Sequence, residues 1–582
     1  MTTPSSTPSD VSDEPSGLPD SVTLTRLANE MFAEHMGHPA AGESVPWDSV
    51  GEDPPVAPAL ADVTSIAPSV VPLENIPNSL DEGAEVAPLL IDPESSGLTT
   101  LVPPNVFNRA VPVRTSVPSA PFYFLNEPTG VPSPNDVPVP LPGPGLPRSD
   151  FYFIRPDQPW SGPASELVPE RSVPFDPQAV RRDFPILAER INGRPLVWFD
   201  NAATTQKPRV VIERLTHFYE HENSNIHRGA HELAARATDA YEGARDAVAG
   251  FLGAPSSDDI VFVRGTTEAI NLVAQSWGRA NVGPNDEILI SHLEHHANIV
   301  PWQQLAAERG ALLRVIPVDD SGQILLDEYR KLLSHRTRLV AVTHVSNALG
   351  TVVPVHEVVQ QAHAAGARVL IDGAQSVPHL RVDVKSLDPD FYVFSGHKVF
   401  GPTGIGALYG KHDVLESMPP WEGGGNMIQD VTFEQTIYQP PPTRFEAGTG
   451  NIADAVGLGA ALDYLQRIGI DNVTRYERAL LDYATQALRT VPGLRLIGTA
   501  PDKASVLSFV LDGYHPEEVG TALNRDGIAV RAGHHCAQPI LRRMGLEATV
   551  RASLSMYNTR DEVDEFVAAL HRLAADAGRT RR

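Results

Sequence analysis

Lys398 lies in the stretch of the chain best suited to covalent chemistry. An apolar run at 391–394, typical of a buried strand, precedes it, and a glycine-rich turn at 401–406 follows it. A lysine in a partly dry pocket has a lowered pKa and can form a Schiff base with a carbonyl compound. Ser395 and His397 are short polar residues that can face a phosphate. The alternative is a solvated lysine at a strand end, so the rest of the chain must supply the other parts of a site.

Residues after other apolar strands supply the parts that pyridoxal phosphate (PLP) needs. Asp372 ends a strand, where a carboxylate can hold a pyridine nitrogen protonated. Thr266 and Thr267 open a predicted helix, whose free amides and positive dipole end suit a phosphate. Gln375 is within reach of the phenolic oxygen of such a ring, and His295 can stack on the ring face. Together with Lys398 these groups predict a PLP site.

The same residues also allow simpler interpretations. Asp372 can cap a strand–helix turn, and the Thr266 helix can begin with an ordinary N-cap. The adjacent His295 and His296 can form a metal pair. No cysteine or carboxylate set stands at zinc-ligand spacing beside them, so we predict no metal site.

Arg551 and Cys536 extend the predicted site toward a substrate. Arg551 lies on a predicted strand, where its planar fork suits a carboxylate, although a structural ion pair explains it equally well. Cys536 lies in a loop between glycine and histidine residues, where nearby cationic charge favours the thiolate. A lone cysteine is more often inert and buried, but the loop favours a nucleophile.

The first third of the chain differs in composition from the rest. Residues 1–174 hold 32 of the 53 prolines and no lysine, and their 6 arginines against 23 acidic residues give a net charge of −17 out of −26. Such a segment cannot bury enough apolar surface to offset the entropy of ordering it. We predict a disordered, proline-rich tail at 1–174, a large cofactor-binding domain at 175–455 and a small domain carrying Cys536 at 456–582. Residues 175–195 are expected to pack on the small domain.

The acidic balance argues against a nucleic-acid partner and against binding to an anionic membrane. The first 15 residues lack the basic and apolar regions of a secretory signal. No apolar stretch is long enough to span a bilayer, and Cys536 is the single cysteine, which excludes a disulfide within one chain. We therefore expect a cytoplasmic protein.

The globular part alternates strand and helix patterns. Apolar runs at 260–263, 287–290, 339–343 and 368–371 are each followed by a polar cluster, and a helix with a break at Pro185 is predicted over 176–190. This alternation predicts an α/β fold with a mostly parallel sheet, whose ligands bind beyond the carboxyl ends of the strands. After 451 the pattern changes to a smaller α+β unit.

Eight ordered motifs carry a resemblance to a known family. They are Asp200-Asn201-Ala202-Ala203-Thr204, Arg264-Gly265-Thr266-Thr267-Glu268, Glu294-His295-His296-Ala297-Asn298, His344-Val345-Ser346-Asn347, Asp372-Gly373-Ala374-Gln375, Ser395-Gly396-His397-Lys398, Arg444-Phe445-Glu446-Ala447-Gly448-Thr449 and Arg531-Ala532-Gly533-His534-His535-Cys536-Ala537. Over about residues 175–575 the chain resembles the type II, Suf-type cysteine desulfurases, which have the fold type I of PLP-dependent transferases.

The resemblance implies roles for individual residues. It implies that Lys398 carries PLP, that His295 stacks on the ring and moves protons, and that Asp372 and Gln375 contact the ring. The implied phosphate-binding residues are Thr266, Thr267, Ser395 and His397, with Thr449 reaching the phosphate of a neighbouring subunit in a homodimer. The implied substrate-binding residues are Asn347, Arg531 and Arg551. Gly450 departs from the family, which usually has proline after the threonine, and this weakens the assignment of Thr449.

The implied reaction converts L-cysteine to L-alanine and leaves a persulfide on Cys536. A selenocysteine lyase or another β-eliminating PLP enzyme of the same fold is the alternative. A scaffold that recruits partners through its tail is a second alternative, which the intact set of Lys398, Asp372, Cys536 and Arg551 speaks against.

The tail carries a short motif of its own. Leu24, Leu27, Met31 and Phe32 share one face of a short helix, which suits a partner's groove, although a chance amphipathic segment has the same pattern. Residues 24–32 resemble a motif in the tails of desulfurases packaged in encapsulin nanocompartments. Aromatic islands at 122–125 and 151–154 are further docking points, or pack back on the enzyme. An iron–sulfur assembly partner or sulfur acceptor is the alternative to a shell.

Overall fold

The structure is a computed structural model that describes residues 175–227 and 229–580. The tail predicted at 1–174, with the motif at 24–32 and both aromatic islands, lies outside these residues.

A seven-stranded sheet forms the centre of the described residues. In chain order its strands are β1 Ile260–Val263, β2 Glu287–Ser291, β3 Leu312–Ile316, β4 Thr337–Thr343, β5 Arg368–Asp372, β6 Phe391–Ser395 and β7 Gly406–Gly410. Their spatial order is β1-β7-β6-β5-β4-β2-β3. Strand β7 is antiparallel to β1 and β6, and the other pairs are parallel. The predicted α/β fold with a mostly parallel sheet is confirmed.

The strands are apolar on both faces because helices cover both faces. Leu289 of β2 packs in one hydrophobic cluster, and its neighbours Ile288 and Ile290 pack in the cluster on the other side. Parallel strands buried in this way need a continuous apolar run, which is the pattern that predicted them.

Along the chain, helices stand before, between and after these strands. They are Pro177–Arg181, Arg209–His221, Glu232–Leu252, Thr266–Val273, Arg279–Asn281, Val300–Arg309, Leu326–Leu332, Val355–Ala364, Val384–Leu387, His412–Ser417, Ile452–Ile468, Ile470–Leu488, Pro516–Arg525, Gln538–Arg543 and Arg560–Thr580. Helices Glu232–Leu252 and Ile452–Ile468 pack closely at Gly459. A Cβ added there would lie only 3.0 Å from the Cβ of Ala244. No helix in the described ranges is long and apolar enough to cross a membrane.

A second, antiparallel sheet follows the seven-stranded one. Its strands are β8 Leu494–Ile497, β9 Val506–Leu511, β10 Arg531–Gly533 and β11 Thr549–Ser553, in the order β8-β9-β11-β10. Phe566, in the last helix, packs edge-on against Phe509 of β9, with ring centres 6.0 Å apart. Two short hairpins, Arg190–Ile191 with Arg194–Pro195 and Ile428–Val431 with Thr436–Tyr438, lie outside both sheets.

The helix predicted over 176–190 is present only in part. Pro177–Arg181 is α-helical, and Pro185–Ala188 forms a separate 3-10 turn. Pro185 disfavours helical geometry at Phe184, which is extended at φ −107° and ψ 92°. Further along, Val197–Trp198 pairs in parallel with Ile528–Ala529, so this early segment joins residues near the end of the chain.

The division at 455/456 stays a prediction. Helix Ile452–Ile468 runs through this position without a break.

Candidate active site

A cavity of about 240 Å³ opens at the carboxyl ends of the parallel strands. Most of the predicted site residues line it, namely Thr266, Thr267, His295, Asn347, Asp372, Gln375, Ser395, His397, Lys398, Arg531, Cys536 and Arg551. Thr449 lies instead in a separate cleft beside Tyr241 and Glu446. The sheet edge therefore gathers groups that are far apart in sequence, as the strand-end argument predicts.

Lys398 ends a short 3-10 turn, Gly396–Lys398, that directly follows β6. Burial lowers the pKa of its amine to about 8, against the opposing influence of the Asp372 carboxylate. A useful fraction of this amine is unprotonated near neutral pH. Lys398 is therefore able to attack a carbonyl carbon as a nucleophile.

Asp372 is the last residue of β5 and is only 4% exposed. Its Oδ1 accepts a hydrogen bond from the amide of Ala374 at 2.9 Å. Asp372 therefore also caps the turn after β5, as the alternative interpretation proposed. Burial raises the pKa of this carboxyl, and Lys398 counteracts the rise. A buried carboxylate in this state gains from a further positive partner, which a protonated pyridine would supply.

The helix Thr266–Val273 begins beside Ser395 and forms a cradle for an anion. The Thr266 amide donates to Ser395 Oγ at 2.9 Å, and the Thr266 hydroxyl lies 2.9 Å from the same oxygen. A Cβ added at Gly265 would lie 3.1 Å from Ser395 Oγ, so glycine keeps this corner open. Burial and the charges of Lys398 and Lys207 lower the pKa of the nearby His397 to about 4, which keeps its ring neutral.

His295 is held as a neutral imidazole. Burial, followed by the Lys398 charge, lowers its pKa to about 3. Its Nδ1 accepts a hydrogen bond from the amide of Ala297 at 3.0 Å, which assigns the ring proton to Nε2. His295 can therefore donate a hydrogen bond from Nε2.

No group of three or more His, Cys, Asp or Glu suited to a metal ion occurs among the residues described.

Arg551 is tied to protein groups and still has donor capacity. Its guanidinium is 2% exposed, with Nη2 3.1 Å from Asp200 Oδ1 and Nη1 donating to the Asn347 carbonyl at 3.0 Å. Its buried Nε has no hydrogen-bond partner in the described part of the chain. Arg531, 48% exposed, binds the same Asp200 carboxylate at 2.9 Å. The structural ion pair that was the alternative for Arg551 is therefore present. Because Arg531 and Arg551 share the single carboxylate of Asp200, one positive charge remains for a substrate carboxylate.

Cys536 lies in a strained loop beside this pair of arginines. His535 and Cys536 both have a φ of 54°, in the left-handed region that few residues other than glycine adopt. Asn347 Nδ2 donates to the His535 carbonyl at 2.7 Å, and the amide of His296 donates to the Cys536 carbonyl at 2.8 Å. The thiol side chain is partly exposed at the cavity wall.

Glu294 is a buried acid to which we assigned no role from the sequence. Its carboxyl has no solvent exposure, and it binds Ser291 Oγ at 2.5 Å and Asn298 Nδ2 at 2.6 Å. Burial raises its pKa to about 8. These contacts tie Glu294 to the loop that carries His295. The sequence signal for this role was an acidic residue directly before the paired histidines.

The arrangement fits PLP. An amine, a buried carboxylate, a helix N-terminus with hydroxyl groups and a neutral imidazole all face one cavity. Lys398 would hold the aldehyde carbon, Asp372 the ring nitrogen, and Thr266 with Ser395 the phosphate. Gln375 Nε2 donates to the Ala202 carbonyl at 2.6 Å, so its assignment to the phenolic oxygen stays a prediction.

Known proteins resemble this chain over most of its length. The family model described as aminotransferase class-V matches residues 197–566. A cysteine desulfurase of Synechococcus elongatus is 69% identical over 402 residues, which cover 69% of this chain and 64% of that protein. A probable cysteine desulfurase of Mycobacterium leprae is 53% identical over 575 residues, covering 97% of this chain and 88% of that protein.

A solved structure of a cysteine desulfurase has a similar fold. The cysteine desulfurase CsdA of Escherichia coli superposes with a TM-score of 0.65 at 41% identity, covering 70% of this chain and 99% of that one. This chain thus spans less than two thirds of the Synechococcus relative and nearly all of the solved one. On the family match and these identities, the chain belongs to the class-V aminotransferase family.

Proposed function

We propose that the protein is a PLP-dependent cysteine desulfurase, which converts L-cysteine to L-alanine and leaves a persulfide on Cys536. The observation that carries the proposal is one cavity lined by Lys398, Asp372, Arg551 and Cys536 together. The similarity to proteins named as cysteine desulfurases supports the same activity.

Bound PLP supplies an electron sink for negative charge that develops at the substrate Cα. The Arg551 guanidinium, helped by Arg531, binds the substrate carboxylate and orients the amino acid. Lys398 Nζ, with its pKa near 8, is suited to take up the Cα proton. His295, neutral with its ring proton at Nε2, lines the same cavity and serves proton transfer.

Cys536 performs the sulfur transfer. Its Sγ attacks the sulfur of the substrate, so a new S–S bond forms as the substrate Cβ–S bond breaks. The electron pair of the broken bond stays on the carbon side, and Cβ takes up a proton. L-alanine leaves, and the transferred sulfur remains on Cys536 without any external oxidant or reductant.

A single-turnover assay tests this proposal. The PLP-loaded full chain, given L-cysteine without a reductant, should release one alanine per subunit, and its intact mass should rise by one sulfur atom. Because Cys536 is the single cysteine of the chain, the added mass reports on this residue alone. Turnover of selenocysteine but not of cysteine, independent of Cys536, would instead make the protein a selenocysteine lyase.

The active form is proposed to be a homodimer. Thr449 lies outside the cavity in one chain, as expected if it serves a neighbouring subunit. The hairpin Ile428–Val431 with Thr436–Tyr438 exposes apolar side chains, and Phe433 at its tip is fully exposed. Analytical ultracentrifugation should show a dimer for the full chain. The Phe433→Ser variant should dissociate to monomers at a higher protein concentration than wild type does.

We also propose that the protein is a desulfurase of the Suf type and that its N-terminal tail directs it into an encapsulin shell. The support comes from the sequence: a lysine-free acidic tail, the motif with Leu24, Leu27, Met31 and Phe32, and two aromatic islands. Several weak docking points on one chain raise avidity. A sulfur-acceptor protein is the alternative partner of this tail.

Co-expression with a candidate shell protein tests the packaging. The full chain should co-purify with shells, whereas a variant with alanine at positions 24, 27, 31 and 32 should not. Alanines at the polar positions Thr25 and Asn29 of the same segment are the matched control. Equal packaging of all three would remove the motif from the proposal.

A further inference from the structure

The segment at 204–207 grips the peptide bond that joins His397 to Lys398. Four donors converge on the His397 carbonyl oxygen: the Thr205 amide at 3.0 Å, the Thr204 hydroxyl at 3.0 Å, the Thr205 hydroxyl at 3.2 Å and Lys207 Nζ at 3.1 Å. A carbonyl oxygen has two lone pairs, so this concentration of donors on one atom is unusual. The gripped atom belongs to the peptide unit that leads into Lys398.

The Thr205 hydroxyl also completes the turn that carries Lys398. It accepts the Phe400 amide at 2.8 Å while it lies 3.2 Å from the His397 carbonyl. The hydroxyl thus bridges the His397 carbonyl and the Phe400 amide, the two groups that would bond directly in an ordinary β-turn. Phe400 is fully buried and has a φ of 65°, in the left-handed region that residues other than glycine rarely adopt.

Lys207 contributes a partly buried amine to the same contact. Its Nζ donates to the Thr205 carbonyl at 2.5 Å as well as to the His397 carbonyl. Burial lowers its pKa to about 8, and its charge helps to keep the His397 ring neutral. Two backbone carbonyls therefore hold the amine of this lysine.

The gripping segment is itself anchored on its other side. The Gln206 amide donates to the Tyr557 hydroxyl at 3.1 Å, and the Ala202 amide donates to Ser553 Oγ at 2.8 Å. Asp200, four residues before Thr204, binds both arginines of the carboxylate site. Residues 200–207 together thus contact the turn after β6 and the strand that carries Arg551.

We infer that Thr205 and Lys207 are positioning residues for Lys398, which act by holding the His397 carbonyl and so fix the direction in which the lysine enters the cavity. The inference rests on the proposed function only for the use of Lys398 as the PLP-binding residue. It does not depend on the substrate.

The rate at which PLP attaches to Lys398 tests the inference. Apo-protein is mixed with PLP, the visible band of the bound cofactor is followed, and borohydride reduction with peptide mass analysis locates the linkage. Thr205→Val removes the bridging hydroxyl at nearly constant volume and should slow attachment about tenfold, the effect of losing one buried hydrogen bond. The pH midpoint of the visible band should shift as well.

Matched variants separate positioning from a general structural effect. Thr205→Ser keeps the hydroxyl and should restore the attachment rate and the pH midpoint. Lys207→Met should slow attachment, and Lys207→Arg should restore most of it. Lys207→Met carries the test if Thr205→Val does not fold.

Attachment at the wild-type rate and with the wild-type pH midpoint in Thr205→Val and Lys207→Met would overturn the inference. Failure of the proposed function has a different signature, since the wild-type protein would then bind PLP at Lys398 without releasing alanine from L-cysteine.

Discussion

The two sides of the cavity hold their reactive groups by different means. On the cofactor side, Asp372 ends one strand and Lys398 lies just after another, and both strands are buried on both faces, so regular secondary structure places these residues. On the sulfur side, Cys536 sits in a loop with two left-handed residues, which single hydrogen bonds from Asn347 and His296 hold in place. Regular secondary structure therefore positions the residues assigned to the cofactor, whereas a few contacts with distant residues position Cys536.

The cofactor side should depend on one amine. Lys398→Ala should abolish the visible band of bound PLP and lower alanine formation by about a thousandfold or more, because both the linkage and the Cα proton acceptor are lost. The exposed Lys331→Ala is the matched control and should behave as wild type. A retained band in Lys398→Ala would place the cofactor on another residue.

The same amine should weaken the protein when PLP is absent. Burial lowers the pKa of Lys398 from 10.5 to about 8, so between these pH values the unfolded chain binds more protons and stability contributed by this group rises with pH. At pH 7 the buried charge costs up to about 3 kcal/mol. Urea unfolding of apo Lys398→Met at neutral pH should therefore show a larger free energy of unfolding than wild type, with the gap closing above about pH 10. An equally stable or weaker variant would show that the amine is solvated.

The sequence predicted the cofactor side well because its signals are local. The apolar run before Lys398 and the acid Asp372 at the end of the run at 368–371 are visible in a few residues. Strands β1, β2 and β4 to β6 lie within two residues of their predicted bounds. Helix Thr266–Val273 begins at the predicted threonine. Burial on both faces leaves a continuous apolar pattern that is hard to mistake.

The rest could not be read locally because its causes lie far apart in the chain. Thr205 meets His397 across 192 positions, and Asp200 meets Arg551 across 351. The left-handed pair at 535 and 536 involves no glycine, so residue type gave no sign of it. The motif at 200–204 was visible in the sequence, yet its contacts appear only in the folded chain.

The substrate side should show a smaller, selective loss. Arg551→Lys should raise the KM for L-cysteine about tenfold, because an ammonium cannot replace the planar fork that binds Asp200 and a carboxylate together. PLP attachment should be retained, since the hydrogen bonds of Arg551 go to Asp200 and Asn347 and not to the residues assigned to the cofactor. Arg531→Lys, at a half-exposed position, should change the KM less. Equal KM values in wild type and Arg551→Lys would leave Arg551 with its ion pair as its only role.

Cys536→Ala separates the two sides most directly. The account predicts that this variant binds PLP at Lys398 with an unchanged visible band, while alanine release from L-cysteine falls by about a thousandfold or more, the scale of losing a nucleophile. Release of alanine at the wild-type rate by Cys536→Ala would contradict the central claim that Cys536 receives the sulfur.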